Sequence, residues 1–270
     1  MIERNLHYDE HDRKWIAQYP YLLPKESLRE NKSVAMKSML TTEKTLSKNK
    51  SWGDVYSAQI QDMLDHGAAR IVPEDELDNY TGHVNFLTHL AVVNPKSEST
   101  PVRICFDTSR PQGDGTSLNQ ILANGTDCFL NNLASVLIRF RNGIVAVKGD
   151  VSKMYNSMHL SREDSFLQCF LWRNLDPTAQ PRTYQVVVNN IGGKPAGCIA
   201  TVAFYKSANK LKEKYPETSQ QLKGNLYVDD VRVTGKSREE ARIRTREADE
   251  ILLHATSCEH EDQEMGIFGR

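Results

Sequence analysis

The chain has 270 residues, 39% of them hydrophobic, enough for one domain of two lobes around a shared core. Its 34 basic and 35 acidic residues leave a formal net charge of −1, so the global balance lacks the basic excess expected of a nucleic-acid binder. No apolar run is long enough to cross a bilayer, residues 1–14 lack the apolar core of a secretory signal, and the five scattered cysteines, Cys105, Cys128, Cys169, Cys198 and Cys258, read as buried reduced thiols.

Periodicity predicts two helices over residues 33–67, the second with Trp52, Val55, Tyr56, Ile60, Met63 and Leu64 on one face and Gly67 at its end. Two short strands follow, near 84–93 and 102–106, and residues 117–141 read as mainly helical. Residues 143–150 form a short buried-strand pattern that delivers Asp150 at its exit. Ser161, with Asp164 three positions on, opens a helix, and a strand follows at 184–188. Pro195 is placed for the first turn of a helix over 196–211, where its missing N–H costs nothing. The Gly192-Gly193 loop before it would let backbone approach a ligand closely. Leu226 and Val228 on one side, and Val231 and Val233 on the other, frame a tight β-hairpin whose tip is Tyr227-Val228-Asp229-Asp230. Ser237-Arg238-Glu239-Glu240 is a capping-box pattern that starts a helix with Ala241, Ala248, Ile251, Leu252 and Ala255 along one side. This order of elements suits an α+β fold with helices packed on one sheet face.

The carboxylates carry the chemistry. Phosphoryl transfer to a sugar hydroxyl uses two divalent ions about 3.5–4 Å apart, and Mg²⁺ takes few protein oxygens plus substrate phosphates. Asp150 at one strand end and Asp229-Asp230 at a bend supply that inventory, while the cysteines and eight histidines form no zinc spacing. A solvated turn for Asp229-Asp230 and an N-cap for Asp150 are the plain alternatives. If Asp150 and Asp229 do not converge, both metal-dependent readings, polymerase and nuclease, fail. Arg139, Arg141, Lys206, Lys210, Lys212 and Lys214 are candidates for nucleic-acid backbone contact or for solvating helix faces.

An ordered series of motifs resembles the reverse transcriptase region of BEL/Pao retrotransposons. Trp15, Tyr19-Pro20, Asn31, Thr42-Glu43-Lys44 and the helix from Tyr56 to Leu64 resemble the segment before the fingers. His89-Leu90-Ala91-Val92, Ser99-Thr100-Pro101-Val102-Arg103-Ile104 and Ser117-Leu118-Asn119 resemble the fingers. Gly149-Asp150-Val151-Ser152-Lys153-Met154-Tyr155, Phe170-Leu171-Trp172-Arg173, Gly192-Gly193-Lys194-Pro195-Ala196-Gly197 and Tyr227-Val228-Asp229-Asp230 resemble the palm, with Ile191 where the family usually has Phe. The resemblance implies a right-hand polymerase fingers–palm with an antiparallel palm sheet backed by helices. It divides the chain into a helical N-terminal segment (1–82), fingers (83–142), palm (143–255) and a polar tail (256–270) in place of a thumb.

The resemblance further implies Asp150 and Asp229 as principal ligands of Mg²⁺ or Mn²⁺, Asp230 as the neighbouring carboxylate, and Val151 as a member of the metal set. Lys96, Arg103, Tyr155, Gly192 and Tyr227 would bind nucleotide, with Lys96 and Arg103 gripping the triphosphate and Tyr155 crowding the sugar 2′ position. The implied activity is RNA-directed DNA polymerisation, with an RNA and DNA template-primer and deoxynucleoside triphosphates as partners and no membrane. The setting implied is cytoplasmic, or a virus-like particle for an intact element. Protease, thumb, RNase H and integrase regions of such an element lie outside the chain, so the expectation is of a fragment. Two other readings stay open: a catalytically inactive retrotransposon-derived remnant that binds nucleic acid or protein, and a metal-dependent nuclease, which does not account for Tyr155 or the Lys96 and Arg103 pair.

Overall fold

Apolar periodicity and capping residues account for most element boundaries in the computed structural model, which describes residues 2–97, 100–111, 115–125, 130–151 and 153–256. Ser99, Cys128, Ser152, Cys258 and the tail beyond 256 lie outside the described residues. In chain order, β1 (Leu6–Asp9) and β2 (Lys14–Ala17) form a hairpin, followed by α1 (Lys32–Leu46), α2 (Lys50–Asp65), β3 (Ala69–Ile71), α3 (Glu74–Asn79), β4 (Thr88–Val93) and β5 (Val102–Asp107). Next come α4 (Leu118–Ile121), α5 (Leu133–Phe140), β6 (Val145–Asp150), β7 (Met158–Leu160), α6 (Arg162–Ser165), β8 (Cys169–Trp172) and β9 (Arg182–Val186). Helices α7 (Ala196–Lys210) and α8 (Pro216–Asn225), strand β10 (Asp230–Gly235) and helix α9 (Arg238–Ala255) complete the series. The fold is α+β, with helices around small antiparallel sheets: β1-β2-β7, β6-β10, β3-β9-β8 and β4-β5.

The chain forms two compact units. One holds residues 19–123 and 160–194. Its core joins Ala35, Met39 and Leu46 of α1, Tyr56 and Ile60 of α2, and Phe170, Trp172, Tyr184 and Val186 of the β8–β9 pair. The predicted face of α2 is the one used: Tyr56 and Ile60 are buried, and Trp52, Val55, Met63 and Leu64 pack against the same cluster. Gly67 follows the helix at φ +64°, the left-handed conformation that glycine adopts without a Cβ penalty. His89 sits inside this core, its Nε2 2.9 Å from the Leu171 carbonyl and its Nδ1 2.6 Å from the Tyr56 hydroxyl. A carbonyl only accepts, so Nε2 carries the proton and Nδ1 accepts from the phenol. Burial lowers the His89 pKa and keeps the ring neutral.

The other unit holds residues 1–18, 124–159 and 195–270. Its centre is α7, buried on most sides through Ala196, Cys198, Ile199, Ala200, Val202, Ala203 and Phe204 and packed against α8 and α9. The five residues expected to line α9 are all buried, and Ser237 caps it by accepting from the Glu240 N–H. Helices α8 and α9 also cover one face of β10.

Several expectations are corrected. The described residues of 117–141 form two separate helices, α4 and α5, rather than one mainly helical stretch. The Leu122 backbone bridges to Tyr21 and the Ala123 N–H donates to the Pro20 carbonyl at 2.7 Å, so strand-like partners satisfy groups that a helix would have used. The upstream arm of the Asp229 turn is the single bridging residue Tyr227 rather than a strand, because α8, which Pro216 starts at N1, runs to Asn225. Strand β6 is not buried, because Ala146, Lys148 and Asp150 alternate onto an open face. Pro195 takes the N-cap position, one residue before the first turn. Cys169 and Cys198 are buried as expected, but Cys105 is exposed, since strand alternation puts it outward with Arg103.

Candidate metal centre

Strand periodicity builds the acidic site. Val231 and Val233 of β10 are fully buried, so Asp230, Arg232 and Thr234 project to the opposite face. Antiparallel pairing sets Asp150 directly across from Asp230 and Lys148 across from Arg232. The free edge of β10 is sealed by the Gln221 side chain, which donates to the Thr234 carbonyl at 3.1 Å and accepts from its N–H at 2.9 Å.

Tyr227 and Asp230 exchange two backbone hydrogen bonds of 2.9 Å, which closes a two-residue turn with Val228 and Asp229 at its tip. Val228 has φ +56°. Left-handed backbone costs a residue with a Cβ about 1–2 kcal/mol, and a β-branched one is a genuine outlier there. The Val151 N–H donates to the Asp229 carbonyl at 3.0 Å and ties the strained tip to the exit of β6. Strain of this sort concentrates where a backbone must aim a functional group.

One carboxylate oxygen from each of Asp150, Asp229 and Asp230 lies within 4.8 Å of the others. Asp150 and Asp229 are exposed and Asp230 is half-buried. The Asp150 carboxyl is pushed up, by desolvation first and then by the charges of Asp229 and Asp230, with Lys148 opposing. Both oxygens of Asp230 are engaged: Lys148 Nζ is 2.9 Å from Oδ1 and Arg232 Nη2 is 2.8 Å from Oδ2. An all-oxygen donor set of this size could hold a hard divalent cation such as Mg²⁺ or Mn²⁺.

Tyr155 follows β6 in a 3-10 turn, Tyr155–Ser157, with its ring beside Gly197 of α7. Its phenol pKa is raised, chiefly by burial and secondly by the Asp229 charge. The Val151 side chain is buried, and its carbonyl accepts from the Met154 N–H at 3.3 Å. Tyr227 contributes both main-chain polar groups to the turn. Asp150, Val151, Tyr155, Tyr227, Asp229 and Asp230 therefore come together in the unit of residues 1–18, 124–159 and 195–270.

Lys96, Arg103 and Gly192 belong to the other unit. Lys96 is exposed after β4, its N–H 3.3 Å from Asn94 Oδ1, and Arg103 is exposed on β5 opposite Val92. The space that a side chain at Gly192 would need is taken by the Phe106 carbonyl, 2.8 Å from the site of its Cβ. Asn119 holds this loop, donating through Nδ2 to the Gly192 carbonyl at 3.0 Å and accepting from the Lys194 N–H at 2.7 Å. The Thr108 hydroxyl also donates to the Gly192 carbonyl.

Three of the four lysines considered for backbone contact are used internally. Lys206 donates to the Glu3 and Leu6 carbonyls at 2.6 Å each, Lys210 pairs with Glu10, and Lys214 pairs with Glu250 at 2.9 Å. Arg139 donates through Nε to the Gly224 carbonyl at 3.0 Å. Sequence reasoning gave no role to Lys148 or Arg232 and named Asn119 only as part of a fingers motif. Lys148 stands two before Asp150 and Arg232 two after Asp230, so strand period alone would have put each beside its aspartate. No comparable local signal marks Asn119 as the support of a loop 73 residues away. Among known proteins, no family model and no curated relative matches this chain.

Proposed function

We propose that the unit carrying Asp150, Asp229 and Asp230 is the metal-binding palm of an RNA-directed DNA polymerase, and that the chain is the fingers–palm module of a BEL/Pao-type reverse transcriptase. The observation that carries this reading is the meeting of three aspartates, 79 or more positions apart for Asp150 and its partners, with oxygens within 4.8 Å. Bound Mg²⁺ or Mn²⁺ would supply Lewis acidity toward the primer 3′-hydroxyl and the triphosphate oxygens. Asp150 and Asp229, both exposed, present the ligand oxygens. Tyr155, in the same unit, would supply the bulk that excludes a 2′-hydroxyl. The 3′-hydroxyl attacks the α-phosphate, the phosphodiester forms and pyrophosphate leaves, with the protein acting by position and charge.

Primer extension on an RNA template with deoxynucleotides tests the reading. Activity should require Mg²⁺ or Mn²⁺ and be lost in Asp229→Asn with the far-UV spectrum unchanged. Extension that survives the substitution removes the assignment. The second reading is a remnant without turnover that binds protein. The near-neutral charge and the internal use of Lys206, Lys210 and Lys214 favour it, and it is recognised by a folded, Mn²⁺-binding chain that never extends a primer.

A further inference from the structure

Arg232 is 7% exposed, between two valines that are fully buried. Its Nη2 donates to Asp230 at 2.8 Å, while its Nη1 is buried with no hydrogen-bond partner among the described residues. A buried guanidinium with an unfilled donor is costly, and an apolar side chain at this position would pack without that cost. What Arg232 supplies in return is charge. Strand register sets Asp150 against Asp230, and the turn adds Asp229. Like charges directly opposed across an antiparallel pair repel. Arg232 and Lys148 take one oxygen of Asp230 each, so three negative charges against two positive leave the cluster one charge negative.

Resting on the metal reading above, we propose that Arg232, with Lys148, is a resident counter-cation that holds the three aspartates together without metal and sets how tightly they take a divalent ion. Arg232 is a positioning residue: it acts through Asp230, which it and Lys148 hold by both oxygens, leaving Asp150 and Asp229 to present the ligand oxygens. Its charge opposes an incoming cation only a few ångströms away. By Coulomb's law in a water-like dielectric, the limit for the exposed ligand oxygens of Asp150 and Asp229, its removal strengthens divalent-ion binding by about tenfold at low salt. The gain shrinks as ionic strength rises. Lys148, with 57% of its side chain exposed, has the same sign of effect and a smaller size.

The test is Mn²⁺ binding to the full chain, read from the loss of the free Mn²⁺ electron paramagnetic resonance signal at low ionic strength. Wild type should bind Mn²⁺, and Asp229→Asn should lose that binding. Arg232→Met should bind about tenfold more tightly than wild type, while Arg232→Lys, which keeps the charge, should stay within about twofold of it. If wild type binds through Asp229 but Arg232→Met binds no more tightly, the counter-cation role is refuted and the metal reading stands. If no variant shows Asp229-dependent binding, the metal reading falls and takes this proposal with it. Should Arg232→Met fail to fold, Lys148→Met at its exposed position carries the comparison, and unchanged affinity there overturns the proposal.

Discussion

Asp229→Asn should make the metal-free protein more stable while it removes the metal site. Asp229 shares a 4.8 Å neighbourhood with Asp150 and Asp230. Two unit charges at that separation repel by about 1 kcal/mol in a water-like dielectric, the appropriate limit for exposed groups. Asp230 with Lys148 and Arg232 sums to one positive charge, whose attraction for Asp229 is lost in the same substitution and offsets part of the gain. The repulsion of Asp229 by Asp150 is the upper bound, so the variant should gain at most about 1 kcal/mol near pH 7 in low salt. At 0.5 M salt the screening length is about 4 Å, and the gain should fall by half or more.

The pH dependence has a definite sign. Asp150 has a raised folded-state pKa, caused first by desolvation and then by Asp229 and Asp230. A raised carboxylate pKa is a cost to the folded state above the unfolded value, and the cost is relieved as pH falls through the folded value. The advantage of Asp229→Asn should therefore shrink toward acid pH as Asp150 protonates. Urea unfolding midpoints of wild type and variant, at low and high salt and at pH 7 and 4, give the comparison. A variant less stable than wild type at pH 7, or a difference indifferent to salt, would refute the electrostatic account of the cluster.

Burial holds His159 down at about 4, with Lys14 adding to the effect. The folded state keeps the ring neutral, so its stabilising share is intact above the unfolded pKa of about 6.5 and is lost as pH falls toward 4, by about 1.4 kcal/mol per pH unit. His159→Asn should flatten the acid limb of the urea midpoint between pH 7 and 5, and an unchanged slope sinks the assignment. In the other unit, Asn119→Ala removes the donor to the Gly192 carbonyl and the acceptor for the Lys194 N–H. The Gly192 carbonyl keeps the Thr108 hydroxyl, so the loss falls on the exposed Lys194 N–H; amide exchange there should accelerate, whereas Asn119→Asp keeps the acceptor and should protect that amide.

Local rules made much of the fold legible. The apolar stripes of α2 and α9, the stop at Gly67 and the cap at Ser237 depend on neighbours within a few positions, and the structure uses the same residues. The acidic inventory was legible for a similar reason, since each aspartate stands at the end of an alternating run. Errors arose where long-range partners decide the outcome. Residues 122–123 leave the helix because Tyr21 and Pro20 offer them strand-like hydrogen bonds, and the arm expected at Leu226 and Val228 shrinks to the single Tyr227 bridge that follows α8.

By itself the sequence determined which residues can bear charge at the turn, through strand period and turn chemistry, and which helix faces are apolar. Only the tertiary structure decided that Asp150 meets Asp229 and Asp230, that Lys148 and Arg232 occupy both oxygens of Asp230, and that three of the α7-region lysines are spent on the protein's own backbone and carboxylates. The physical reason is that side-chain direction follows a local repeat. Which charges become neighbours depends instead on the pairing of strands distant along the chain.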